Sequence, residues 1–102
     1  MTKNVIIKKL NKTERLLSLD DTERVKSGHV VLMPGEVMPL HVTTGREEVI
    51  LVLKGKAEIT ADNSVHLVGT KGLIYIPPET PHMVKNVGKL ILEYVYVVAM
   101  LA

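Results

Sequence analysis

The 102-residue chain has no cysteine, no tryptophan and no phenylalanine, and three tyrosines are its only aromatic side chains. Without cysteine it can build neither a disulfide scaffold nor a thiolate zinc site. No apolar run is long enough to cross a bilayer, and the opening MTKNVIIKKLNK lacks the long apolar block followed by small residues that marks a secretory signal. The formal charge of +2 is scattered rather than gathered into a stripe, which argues against a nucleic-acid or membrane surface. Ser18, Ser27 and Ser64 lack a glycine-flanked elbow, and no glycine loop is shaped to cradle phosphate. These absences lead to the expectation of a cytoplasmic protein without nucleophile chemistry, one domain spanning residues 1–102.

What the chain does have is valine, isoleucine, leucine and methionine in short runs between turn signals. That composition favours strands over helices. KNVIIKKL, residues 3–10, reads as a short strand. The next segment, NKTERLLSLDDTERVKSG, fits either a helical turn capped by Thr13 or another strand, broken in both cases at Asp20-Asp21. GHVVLM is strand-like and stops at Pro34-Gly35.

From Pro34 to Gly55 the chain reads as a hairpin turning at Thr44-Gly45, with His41 and Thr43 on one arm and Glu47 and Glu48 on the other. Alternation puts His41 and Thr43 on one face, brings Glu48 beside them, and turns Glu47 outward toward Arg46 or a lysine. An imidazole facing a carboxylate is half of a metal site. Further on, Ala57, Ile59 and Ala61 alternate with Lys56, Glu58 and Thr60, and Asp62-Asn63 make a tight turn. In the returning strand Val65 and Leu67 read as the apolar side, with His66 outward. LIYIPP follows and ends at its prolines. KLILEYVYVVAML is apolar on both faces apart from Glu93, so it needs a second layer or a partner subunit, and a homodimer is expected. Strands at this spacing describe an all-β antiparallel sandwich or barrel.

Two stretches resemble motifs of the cupins, small antiparallel jelly-roll barrels. Gly35, His41, Thr43, Glu48 and Gly55 fall at the spacings of the first motif, G-x5-H-x-H-x3,4-E-x6-G, with Thr43 in place of the second histidine. Pro77, Glu79, His82 and Asn86 follow the second, G-x5-P-x-G-x2-H-x3-N, with Lys71 and Glu79 at its two glycine positions. The resemblance covers Gly35 to Asn86, about half the chain.

The resemblance implies a jelly-roll (double-stranded β-helix) barrel in which His41, Glu48 and His82 are metal ligands. Two imidazoles and one carboxylate with open positions make a facial triad, suited to a divalent ion such as iron, manganese, nickel or zinc. The same three residues could instead form a hydrogen-bonded polar cluster inside the barrel. Two functions stand open. One is a metal-dependent oxygenase or isomerase acting on a small organic molecule, with Thr43 bonded to a metal-bound water or to substrate. The other is a metal-free module binding a sugar or another metabolite. Tyr75, Tyr94 and Tyr96 read as pocket-mouth or packing residues, and Tyr75 is taken with Thr43 as a pocket candidate. His29 begins a strand whose facing is open, and Met38 and Met83 fall on the face opposite the histidines.

Overall fold

The computed structural model describes residues 3–102, and every regular element in it is a strand. In chain order these are β1 (Glu14–Leu17), β2 (Val25–Leu32), β3 (Val37–Val42), β4 (Arg46–Lys54), β5 (Lys56–Ala61), β6 (Ser64–Gly69), β7 (Leu73–Ile76), β8 (Pro81–Asn86) and β9 (Leu92–Met100). They form two antiparallel sheets, one in the order β1-β2-β9-β4-β7 and the other β3-β8-β5-β6. This is the jelly roll that the resemblance implied.

Alternation along each strand fills the space between the sheets. Val30 and Leu32 of β2, Leu92 and Tyr94 of β9, Ile50 and Val52 of β4 and Ile76 of β7 face inward from the five-stranded sheet. Ala57, Ile59 and Val84 meet them from the other sheet, and all of these are buried. Burying a side chain of this size contributes about 1.5–3 kcal/mol, enough for a core without phenylalanine to hold the two layers together. Tyr96 lies beside Gly28 in the neighbouring strand, and a Cβ on Gly28 would come within 2.4 Å of the tyrosine ring. Gly55, at φ +95°, joins β4 to β5 where a Cβ would meet the Ile91 carbonyl at 2.6 Å.

Three expectations change, and one open choice is decided. Residues 3–10 lie outside any strand, and Val5 and Ile7 are almost fully exposed, because no strand edge among the described residues pairs with them. The segment open between helical turn and strand contains strand β1, followed by a turn at residues 19–21. β3 and β4 are not a hairpin: β3 pairs with β8, β4 pairs with β7 and β9, and the Thr44-Gly45 turn carries the chain from one sheet to the other. Val65 and Leu67 are exposed at 62% and 75%, because β6 is an edge strand and these residues pair with Thr60 and Glu58 on its wet side. His66 instead stands opposite buried Ile59 and is itself exposed at that edge.

The two glycine positions of the second motif keep a glycine-like backbone. Lys71 has φ +69° and Glu79 φ +57°, in the left-handed region that costs a residue with a Cβ about 1 kcal/mol. Glu79 offsets that cost locally, since its Oε1 accepts the Gly45 N–H at 2.9 Å and its own N–H donates to the Thr43 carbonyl at 2.8 Å. Lys71 has only its backbone N–H bonded, to the Val52 carbonyl at 2.8 Å, a contact any residue would keep. Lys71→Gly should therefore stabilise the protein by about 0.5–1 kcal/mol, raising Tm by a few degrees. An unchanged or lower Tm in a thermal melt would remove this account of the turn.

Candidate metal centre

Three strands deliver the side chains of interest, and the two sheets face each other across them. His41 on β3 and His82 on β8 are directly paired, with ring centroids 4.1 Å apart and planes at 64°. Glu48 arrives from β4 in the opposite sheet. Its Oε1 lies 3.3 Å from His82 Nε2 and 4.0 Å from His41 Nε2. One ligand atom from each residue fits within 4.8 Å of the other two. His82 and Glu48 are buried, whereas the His41 side chain is 42% accessible and forms the outer edge of the cluster.

The backbone orients both rings in the same way. His41 Nδ1 lies 3.1 Å from the Pro39 carbonyl and His82 Nδ1 lies 3.1 Å from the Thr80 carbonyl, each two residues earlier in its own strand segment. A carbonyl only accepts, so each Nδ1 carries the hydrogen, and the neutral rings turn the lone pairs of both Nε2 atoms toward Glu48. His82 Nε2 is then a buried polar atom without a hydrogen-bond partner. Its approach to Glu48 is an encounter of two acceptors, which only a proton or a cation between them makes favourable. The donor set fits a divalent ion: two neutral imidazoles with fixed tautomers, one carboxylate, and the Nδ1–H groups tied as outer supports.

The surroundings of His82 favour its protonated form. Burial pushes the His82 imidazole down, but the Glu48 carboxylate and the Thr80 carbonyl outweigh burial. Arg46 pulls slightly against them, and the ring ends above its ordinary 6.5. A raised folded-state value adds stability that is fully present below the unfolded value and is lost as pH rises through the folded one. The metal-free protein should therefore lose His82-dependent stability as pH rises above the ordinary histidine value of 6.5 and through the raised one. Metal affinity should climb over the same range as the competing proton leaves. Denaturant unfolding of wild type and His82→Asn across this range, with chelator present, checks the first statement. A wild-type advantage that grows with pH would contradict it.

Thr43 does not belong to the cluster. Its hydroxyl is fully buried, donates to the Pro77 carbonyl at 2.7 Å and accepts the Thr80 N–H at 3.0 Å. It is used up in tying the β3 end to the β7–β8 loop, and so it does not take the pocket role expected of it. Tyr75 is also corrected. It stands on the outer face of the five-stranded sheet, 53% exposed, with its hydroxyl donating to Glu47 at 2.7 Å. That contact, rather than Arg46, is the partner of Glu47. The cause is parity: Tyr75 pairs with outward Val49 while its neighbour Ile76 pairs with inward Glu48.

A cavity of about 410 Å³ opens beside the cluster, lined among others by Val30, Met38, Ile50, Tyr94, Tyr96 and Val98. Burial and then the nearby Glu48 charge push the Tyr94 phenol well up, so it remains a neutral hydroxyl. Met38 was expected on the opposite face. Between Met38 and His41 the register slips, with three steps on β3 against two on β8, and this bulge brings both side chains to the same side. His29 is kept out of the cluster by its own contacts, Nδ1 at 2.7 Å from the Lys12 carbonyl and Nε2 at 2.8 Å from Glu93 Oε1. Arg46 and Lys26, which also line the cavity, were missed. Arg46 shares its strand parity with Glu48, a signal already present in the sequence.

The Cupin domain family model matches residues 28–98. Among curated proteins, a putative mannose-1-phosphate guanylyltransferase of Vibrio cholerae is 32% identical over 76% of this chain. The chain spans only 17% of that relative's length. Among solved structures, an RmlC-like cupin family protein of Methanocaldococcus jannaschii with a double-stranded β-helix fold superposes with a TM-score of 0.80 at 28% identity, covering 98% of this chain and 93% of that one. A predicted oxalate decarboxylase of Thermotoga maritima superposes at 0.79 with 18% identity, covering 87% and 92%, a likeness of fold alone.

Proposed function

The chain belongs to the cupin family, and from that premise we propose that His41, Glu48 and His82 hold a divalent transition metal at the wall of a cavity that receives a small organic molecule. The observation that supports this reading is the convergence of two backbone-fixed imidazole lone pairs on one buried carboxylate, with His82 Nε2 left without a partner. Bound there, the ion supplies Lewis acidity toward an oxygen of the guest molecule. The residues do the rest. The Pro39 and Thr80 carbonyls hold the ring orientations, the Val30, Ile50 and Val98 walls exclude water, and the partly open His41 side leaves an approach for the guest.

Purified protein stripped with chelator, incubated separately with iron(II), manganese, nickel and zinc and then desalted, should retain close to one equivalent of at least one of them. Retention of none would remove the reading. The alternative is a metal-free binding module, favoured by Thr43: with its hydroxyl committed to backbone, the site offers three protein donors and no fourth. Stabilisation by organic ligands that is indifferent to chelator would select that alternative.

A homodimer is part of the same proposal. Leu51, Leu73 and Val97 are exposed on the outer face of the five-stranded sheet, where β9 carries its second apolar side. A strictly monomeric mass in light scattering at micromolar concentration would exclude that assembly.

A further inference from the structure

The cavity beside the cluster carries more positive charge than the cluster uses. Arg15, Lys26 and Arg46 line it, against Glu14 and Glu48. Among the described residues the ion pairs are all between histidine and glutamate, so none of these three cations has a carboxylate within 4.0 Å. Arg46 makes one side-chain hydrogen bond, a long 3.4 Å contact from Nη2 to the Val42 carbonyl, and most of its five N–H donors stay uncommitted. Surface lysines and arginines commonly lack partners. Lys26 and Arg46 differ, unlike the exposed Arg15, because they sit on inward rows of the sheet and are half-buried.

The register places them. Lys26 and Glu48 both pair with Val98, so Lys26, Val98 and Glu48 form one row across β2, β9 and β4. Two strand spacings put the Lys26 and Glu48 backbones roughly 10 Å apart. Arg46 lies two residues before Glu48 on the same strand and the same face, one row along. The acid of the cluster is thus flanked by cations on two sides. Once Glu48 is engaged by the histidines or a metal, what remains is a partly desolvated, net positive chamber with apolar walls.

We propose that this cavity binds a small metabolite through anionic oxygens, carboxylate or phosphate, with Arg46 as the forked recognition group and Lys26 as a second point charge. Arg46 suits the first role because the guanidinium can grip two oxygens at once, and Lys26 the second because an ammonium needs no fixed orientation. The inference rests on the metal reading only for where the guest sits relative to the cluster, and it stands for the metal-free protein as well.

Calorimetric titration of malonate, inorganic phosphate and neutral malonamide separates the cases, run on chelator-treated and on manganese-loaded protein. Malonate or phosphate should bind at least about tenfold more tightly than malonamide, and the preferred anion identifies its source. Affinity should fall with added salt. Arg46→Gln and Lys26→Gln should each weaken anion binding about tenfold, while Arg46→Lys should retain part of it. Malonamide binding as tightly as malonate, anion affinity unchanged in both glutamine variants, or absence of anion binding in both forms of the wild type would overturn the proposal. Anion binding without metal uptake would defeat the metal reading and leave this one intact. Metal uptake without anion binding would do the reverse.

Discussion

His82→Ala should abolish stoichiometric metal retention, lowering affinity by at least about a hundredfold. Loss of a directly coordinating group should exceed the 10–100-fold typical of outer-shell changes. The substitution also removes a buried, unpartnered nitrogen, so the stability lost in the metal-free variant should shrink as pH rises through the raised His82 value. Glu48→Gln should weaken metal binding as well, because an amide oxygen is neutral and the imidazoles then carry the whole donor set. The contrast between the two histidines is informative. His41 is partly exposed, and its Nε2 is farther from Glu48, 4.0 Å against 3.3 Å. Its replacement should therefore cost less than that of His82. Competition titrations with a chelating dye measure all three, and wild-type affinity in His82→Ala would show that the ion sits elsewhere.

Asn86→Ala should cost about 3–5 kcal/mol and lower Tm by more than about 10 °C. Asn86 is buried, and its amide donates to the Leu32 carbonyl and to the Leu90 carbonyl, both at 2.9 Å, while its Oδ1 accepts the Gly88 N–H at 2.9 Å. Its backbone also exchanges hydrogen bonds with the Gly35–Glu36 turn. One side chain thus satisfies three backbone groups around the chain ends that lead into β3 and β9. Truncation leaves those groups without partners in a place water does not easily reach. Asn86→Asp separates donor loss from volume loss. It keeps the shape and can still accept from Gly88, but it offers two carbonyls a negative charge, so it should be destabilising too. An Asn86→Ala variant within 1 kcal/mol of wild type by denaturant unfolding would mean that the neighbouring loops relax to pair those groups themselves.

The trio of His41, Glu48 and His82 was legible through its resemblance to the two motifs, and strand parity kept each side chain on the inner face where the register is regular, although the hairpin that alone would have joined His41 to Glu48 does not form. Glu48 pairs with Ile76 and Val98 without interruption, and His41 pairs with His82. Parity misled where the register slips or where an edge lies. The bulge before His41 reversed the facing of Met38, and the edge position of β6 left Val65 and Leu67 in water. A linear sequence carries no mark of either event, since both depend on which strand becomes the neighbour.

Thr43 shows another limit. A hydroxyl at a ligand position reads as a weakened ligand, yet its two short contacts to Pro77 and Thr80 are long-range backbone bonds that only the folded loop creates. Tyr75 fails for a simpler reason, the choice between two faces of one strand, which its neighbour Ile76 settles. The exposed Val5 and Ile7 mark a stretch with strand character and no strand partner among the described residues. Pattern alone could not foresee that, because β-pattern describes a residue's fitness for pairing and not the availability of an edge.

Metal chemistry at this site requires that the two fixed imidazole lone pairs and the Glu48 carboxylate share one cation. Anomalous diffraction from crystals of the manganese- or zinc-loaded protein, recorded on both sides of the metal edge, tests that directly. The predicted result is a single strong peak within bonding distance of His41 Nε2, His82 Nε2 and a Glu48 oxygen. A metal peak elsewhere, or fully loaded protein with no peak among these three atoms, would contradict it.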